Sequence, residues 1–281
     1  MKIFKSVIVR ILMFCFMQAM AEEKSIHSDD GVELAYSVQG EGAPVLVFVH
    51  GWCCDKSYWQ AQIDHFSASH RVIAVDLAGH GDSGSNREAW SMQSFGSDVA
   101  SVVLAEGPAS VLLVGHSMGG SVILEAAARL RGSVIGLVGV DTYHNVEMAL
   151  TEEQIEGFMA PFTADFVRAT EGFVRGLFRG NADAALVDRV VGEMCSAIPE
   201  VGIAALRASF AYRAPGTIET LDFPVVALNS DLYPVNAEAF RRHSSSTFQV
   251  IMIEDSSHFP MLESPDAFNE TLGQVIDGFI E

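Results

Sequence analysis

The sequence predicts an α/β domain with a mostly parallel sheet, helices on both faces of that sheet, and a helical cap insertion. Apolar runs alternate with helix-period segments along most of the chain, which is typical of this class. The runs at 45–49 and 110–114 are continuously apolar, as expected for parallel strands buried on both faces. Between about 142 and 221 the alternation stops, and a helical, phenylalanine-containing segment predicts a cap over a site. With 281 residues, 49% of them hydrophobic, the chain can form one large domain.

The elements can be placed in chain order. Segment 25–39 has the pattern of a β-hairpin, with Asp30-Gly31 as its turn. The final helix begins at Ser264-Pro265, where Ser264 is a suitable N-cap and Pro265 suits the first turn. We expect one domain over 22–281, with the cap insertion at about 142–221. Further strands are predicted at 45–49, 72–75, 110–114, 134–140, 224–229 and 248–253.

The N-terminus has the pattern of a secretory signal peptide. Three basic residues precede the apolar run 11–17, and Ala19-Met20-Ala21 is a small-x-small cleavage site. The run is short for a membrane span, although an uncleaved anchor is the alternative. We therefore predict a signal peptide over 1–21, cleavage after Ala21, a secreted or periplasmic protein, and no stable membrane span after cleavage.

The net charge restricts the class of partner. The formal net charge of −19 argues against nucleic acid as a partner, because a strongly acidic protein repels it.

The cysteine content leaves the disulfides undecided. Beyond the signal segment the chain has Cys53, Cys54 and Cys195, an odd number, and the sequence leaves open whether two of them form a disulfide. It contains neither a C-x-x-C nor an H-E-x-x-H pattern, so we expect no metal and no cofactor. The oligomeric state is not predicted.

The stretch Gly115-His116-Ser117-Met118-Gly119-Gly120 is the main functional signal. It follows the strand 110–114 and precedes a helical segment that ends near Gly132. A G-x-S-x-G between a strand and a helix predicts a nucleophile elbow, in which a strained turn lifts the serine hydroxyl clear of the sheet. The flanking Gly115 and Gly119 are needed because side chains there would collide with the strand and the helix. Ser117 is therefore the predicted nucleophile.

A serine hydroxyl needs a base to accept its proton and a third group to orient that base. His258 lies in the loop between the last strand and the last helix, at the carboxyl edge of the predicted sheet, and is the predicted base. Asp231 follows the strand that ends at Asn229 and is the predicted acid, because the order Ser, Asp, His is that of nucleophile-elbow hydrolases. Asp141, after an earlier strand, is the competing candidate.

These segments, taken together and in this order, resemble the α/β-hydrolase fold superfamily across essentially the whole mature chain. The resemblance implies that Ser117, His258 and Asp231 form a triad. It also implies an oxyanion hole formed by the backbone N–H groups of Trp52 and Met118, with Gly51 beside it and His50 bracing it. The segments that carry the resemblance are His50-Gly51-Trp52, 76–83, 115–120, Asp231 and 258–265.

The resemblance also implies the reaction class. Haloalkane dehalogenases and epoxide hydrolases of this fold use aspartate at the elbow, and Ser117 excludes those activities. The expected function is hydrolysis of a small-molecule carboxylic ester through an acyl-enzyme. C–C bond hydrolysis, lactone hydrolysis and perhydrolysis are alternatives on the same triad. A ligand-binding member of the fold without catalysis is the alternative from a different class.

Overall fold

A computed structural model describes residues 21–280, so the predicted signal peptide lies outside the described residues except for Ala21. The strands are β1 (Glu22–His27), β2 (Glu33–Gln39), β3 (Val45–Val49), β4 (Val72–Val75), β5 (Val111–His116), β6 (Val134–Val140), β7 (Val225–Ser230) and β8 (Phe248–Ile253). These eight strands form one sheet in the order β1-β2-β4-β3-β5-β6-β7-β8, and every neighbouring pair from β4 to β8 in that order is parallel. The predicted mostly parallel sheet is confirmed.

The antiparallel edge is the predicted hairpin. β1 and β2 pair from Glu22↔Val38 to His27↔Glu33, and β2 then pairs antiparallel with β4. Gly31, in the connecting turn, has φ 85°, which an L side chain rarely adopts. The hairpin therefore forms one edge of the sheet, and the site lies at the parallel strands β3, β5 and β6 in its centre.

Helices cover the sheet in two groups. The helices outside the segment between β6 and β7 are α1 (Gln60–Phe66), α2 (Met92–Glu106), α3 (Met118–Arg129), α9 (Ala237–His243), α10 (Pro260–Glu263) and α11 (Pro265–Ile280), and a 3₁₀ turn spans Lys56–Trp59. Helix α3 contacts β3, β5 and β6 and packs against α2, whereas α1 packs against α10 and α11. Phe48 on β3 is fully buried and contacts Trp59, just before α1, and Phe66, at the end of α1. The last helix begins at the predicted Pro265.

The chain between β6 and β7 consists of five helices, which we call the cap. The cap helices are α4 (Glu152–Ala164), α5 (Phe166–Arg175), α6 (Ala184–Cys195), α7 (Pro199–Ala211) and α8 (Pro215–Ile218). The first three each begin after a polar residue, Thr151, Asp165 or Asp183, whose side chain accepts a hydrogen bond from a first-turn N–H group of that helix. The indole of Trp52 lies under the cap, with Phe162, Phe166 and Phe173 edge-on around it.

Across residues 21–280 no individual helix has the length and apolar character needed to cross a membrane. Helices α6 and α7 meet those criteria only as a pair bent by 101°.

Candidate active site

Ser117 occupies a strained turn between β5 and α3. Its backbone has φ 53° and ψ −117°, a conformation that non-glycine residues rarely adopt and that recurs at functional sites. The predicted crowding at the two flanking glycines is confirmed. A Cβ at Gly115 would lie 2.4 Å from the Gly119 carbonyl oxygen, and one at Gly119 would lie 2.6 Å from the His50 carbonyl oxygen. The turn is therefore possible only with glycine at both positions.

His258 joins Ser117 to a carboxylate. Its Nε2 lies 2.9 Å from Ser117 Oγ, and its Nδ1 lies 2.5 Å from Asp141 Oδ2. An ionised carboxylate only accepts hydrogen bonds, so Nδ1 carries the proton and Nε2 is free to accept the serine proton. The predicted contact between Ser117 and His258 is confirmed, and the acid beside His258 is Asp141.

The prediction that Asp231 contacts His258 is wrong. Asp231 follows β7 and pairs with Arg179 Nη2 at 2.6 Å, with 38% of its side chain exposed. Asp141 follows β6, which is the direct neighbour of β5 in the sheet, and its φ of 44° marks a sharp turn at the strand end. Chain order could not separate the two candidates, because Ser, Asp, His describes both of them.

The surroundings of Asp141 keep its carboxylate charged. Its side chain is fully buried, and the N–H and hydroxyl of Ser230 donate to Oδ1 at 2.8 and 2.7 Å. His144 Nε2 lies 3.7 Å from the same oxygen. Burial alone would raise the pKa of Asp141, but interactions with His144 and His258 outweigh burial and hold that pKa below its usual range. The carboxylate of Asp141 is therefore held in its charged form beside His258.

Sequence reasoning missed Ser230. It is the last residue of β7 and is fully buried, whereas the predicted acid is the next residue along the chain. A polar residue at the end of an apolar strand was the available signal, but nothing in the local sequence shows that Ser230 donates to the residue that follows β6.

The loop after β3 lies against Ser117. A Cβ at Gly51 would approach Ser117 Cβ to 3.3 Å, so the backbone of Gly51, which precedes Trp52, lies close to the serine. Met118 is the first residue of α3, and N–H groups of a helix's first turn have no intrahelical acceptor. Trp52 and Met118 line a cavity with Ser117. This arrangement agrees with the oxyanion hole that the resemblance implies.

Two buried histidines hold the loops of the site. His50 Nε2 accepts the N–H of Leu77 at 3.0 Å, so its Nδ1 carries the proton and donates to the Gly51 carbonyl at 2.7 Å. His50 therefore braces the loop that contains Trp52. His116 Nε2 lies 2.8 Å from the His258 carbonyl oxygen and fastens the loop that carries the base. Burial, and then the nearby His258, lower the pKa of His116 to about 3, so it stays neutral.

All three cysteines of the described chain are free thiols. Cys54 lines the cavity beside Ser117, and Cys53 lies next to it in a buried turn. Burial raises the pKa of both thiols well above the ordinary value, so neither is a thiolate at neutral pH. The hydroxyl of Ser117, in contrast, lies 2.9 Å from a histidine nitrogen.

Two cavities meet at Ser117. The inner cavity has a volume of about 160 Å³ and lies between the elbow and the cap, where its walls include Trp52, Cys54 and Met194. The outer cavity has a volume of about 590 Å³, opens to solvent, and is lined by residues that include His144 and Tyr233. Ser117, Met118 and His258 border both. A substrate held at the serine can therefore extend in two directions.

The parallel sheet, the strained serine turn and the histidine loop define an α/β hydrolase. The profile of the alpha/beta hydrolase family matches residues 46–271, and the chain belongs to that family.

Individual relatives agree with this assignment. Pimeloyl-[acyl-carrier protein] methyl ester esterase from Yersinia enterocolitica is 28% identical over 256 residues, which cover 85% of this chain and 95% of the relative. An esterase from Thermogutta terrifontis has a TM-score of 0.77 at 24% identity, covering 92% of this chain and 99% of that one. An esterase from Exiguobacterium antarcticum has a TM-score of 0.80 at 18% identity, covering 91% and 100%. The two solved structures show that the fold is shared.

Proposed function

We propose that this protein is a serine hydrolase that cleaves small-molecule carboxylic esters through an acyl-enzyme intermediate. The observation that carries the proposal is the continuous hydrogen-bonded chain from Ser117 through His258 to the buried Asp141. It ends at the mouths of two cavities, where an ester carbonyl can reach the hydroxyl. The esterase relative supports the same reaction class.

The geometry supports a two-step reaction. Ser117 Oγ attacks the ester carbonyl carbon while His258 Nε2 accepts the hydroxyl proton, and the negative charge on the carbonyl oxygen is stabilised by the N–H groups of Trp52 and Met118. When the tetrahedral intermediate collapses, His258 returns the proton to the departing alkoxide, and the alcohol leaves. A water molecule then attacks the acyl-enzyme, again with His258 as base, and releases the carboxylic acid. Asp141 stabilises the imidazolium in both steps.

The test is turnover of p-nitrophenyl esters by the mature protein and by Ser117→Ala. We expect Ser117→Ala to lower kcat about 10⁴-fold or more, because the attacking atom is removed. Ser101→Ala is the matched control, since Ser101 lies on α2 and its hydroxyl bonds only within that helix, to Ser97. Covalent labelling by a fluorophosphonate should follow the same pattern. Near wild-type turnover by Ser117→Ala would exclude this nucleophile.

We also propose that the protein is exported and that residues 1–21 are removed, as the N-terminal pattern predicts. Expression of the full chain followed by N-terminal sequencing of the protein outside the inner membrane checks this. A chain that retains its first residues and stays in the cytoplasm would contradict it.

A further inference from the structure

We propose that the inner cavity holds the acyl group and the outer cavity holds the alcohol, so that the substrates are neutral esters that join a short acyl group or a benzoyl group to a bulky apolar alcohol. This assignment rests on the proposed ester hydrolysis and adds the substrate class. It follows from the size, the enclosure and the lining of the two cavities.

The inner cavity limits the size of its occupant. Its walls are mostly apolar and belong to both halves of the molecule, with Trp52 and Phe259 from the hydrolase domain and Met194 and Leu206 from the cap. Met194 and Leu206 are buried, and the Trp52 indole is fixed by a 2.7 Å hydrogen bond from Nε1 to the Gly202 carbonyl. A dry apolar cavity of about 150 Å³ accommodates benzene. The volume of about 160 Å³ therefore suits a group of about six carbons.

The outer cavity imposes no such limit. It is more than three times larger and opens to solvent, with Met148 and Tyr233 at exposed positions of its wall. Phe173, Leu177 and Phe210 of the cap line both cavities and separate them above the serine. A substituent that enters the outer cavity can therefore extend toward solvent.

The order of the two chemical steps decides which part of the ester occupies which cavity. The acyl group stays covalently attached to Ser117 from the departure of the alcohol until water releases the acid, so the more enclosed cavity suits it. The alcohol must depart before water attacks, and both need a route to solvent beside His258. Of the two, the outer cavity provides the larger and more open route. The opposite assignment would make the alcohol leave through the smaller and more enclosed cavity.

The charges of the linings indicate neutral substrates. Within residues 21–280, neither cavity is lined by lysine or arginine, and the one carboxylate in the linings, Asp141, is already bonded to His258 and Ser230. A phosphate or carboxylate on the substrate would lose its hydration without gaining a cationic partner. Aromatic and aliphatic side chains instead favour an apolar alcohol.

Two ester series and two matched variants test the assignment. One series varies the acyl chain from acetyl to decanoyl, with benzoyl added, on a naphthyl alcohol. The other varies the alcohol from methyl to naphthyl on a butanoyl group. We expect kcat/KM to be highest between butanoyl and hexanoyl and to fall roughly tenfold or more for each further pair of methylenes, and we expect it to rise from methyl to naphthyl in the alcohol series. Met194→Ala should extend the acyl limit by at least two carbons, whereas Met148→Ala should leave it in place.

Three results would overturn the assignment. The assignment is refuted if Met194→Ala changes the preference for the alcohol. It is also refuted if decanoyl esters are the best substrates of the wild-type protein. In both cases ester hydrolysis still stands. If no ester in either series is hydrolysed although fluorophosphonate labels Ser117, the proposed function fails and the assignment fails with it. Should Met194→Ala not fold, Met194→Val removes fewer atoms and is expected to shift the acyl limit in the same direction by a smaller step.

Discussion

The identity of the acid is the most direct test of the site, because the two candidate aspartates can be changed in the same way. Asp141→Asn and Asp231→Asn each remove one negative charge and keep the shape of the side chain. Asp141 is buried and lies 2.5 Å from His258 Nδ1, whereas Asp231 is partly exposed and pairs with Arg179. We expect only Asp141→Asn to damage catalysis.

The expected magnitude follows from the charge that Asp141 supplies. In the transition state His258 is an imidazolium, and opposite charges about 4 Å apart interact by about 4 kcal/mol at an effective dielectric constant of about 20. At about 1.36 kcal/mol per factor of ten, this is roughly a 10³-fold loss of kcat. Asparagine can also donate to Nδ1 and so place the proton on Nε2, where it blocks base action, which extends the expected loss to about 10⁴-fold. The exposed pair of Asp231 and Arg179 is worth about 0–1 kcal/mol, so Asp231→Asn should change kcat less than about fivefold.

The measurement is kcat for a p-nitrophenyl ester at neutral pH, with active sites counted by fluorophosphonate labelling and folding checked by the thermal midpoint. Labelling corrects for inactive protein, and an unchanged midpoint shows that the loss is not unfolding. A loss of 10³-fold or more in Asp231→Asn, with Asp141→Asn close to wild type, would refute the assignment of Asp141 to the triad.

Two further predictions concern groups around the triad. Ser230→Ala removes one of the two Ser230 donors to Asp141 Oδ1. A buried hydrogen bond to a charged group is worth about 1.5–3 kcal/mol, so we expect kcat to fall by roughly tenfold or more with KM little changed. Steady-state kinetics in which KM alone rises would contradict this role. The pKa of His116 is about 3 in the folded protein, against about 6.5 for a histidine in the unfolded chain. As the pH falls, the unfolded state therefore binds the proton first. The contribution of His116 to stability is intact above about pH 6.5 and is lost as the pH falls toward 3. Between about pH 7 and pH 5 it should lose about 2 kcal/mol, and urea unfolding of His116→Gln should lack that share; an equal loss in both proteins would show that His116 does not contribute.

The sequence predicted the fold and the contact between Ser117 and His258 because both depend on local patterns. Continuous apolar runs identified the parallel strands. The hairpin turns at Asp30-Gly31 as predicted, although its first strand begins at Glu22 and not at Ser25, and the last helix begins at Pro265 as its cap residues indicated. Ser117 was identifiable because a strained strand-to-helix turn requires glycine on both sides of the serine, a requirement visible in six consecutive residues. His258 follows a strand, where the carboxyl edge of a parallel sheet collects functional side chains.

The acid and the cavities were decided by the tertiary structure. Asp141 and Asp231 both follow strands and both fit the chain order, and the choice depends on the left-handed turn at Asp141 and on β6 lying beside β5. Those are relations between segments distant in sequence, which composition and periodicity do not encode. The same holds for the inner cavity, whose volume depends on how Met194 and Leu206 of the cap pack over Trp52. Local backbone preferences therefore indicate which serine is the candidate nucleophile, whereas long-range packing determines which aspartate contacts His258 and how large the cavity beside Ser117 is.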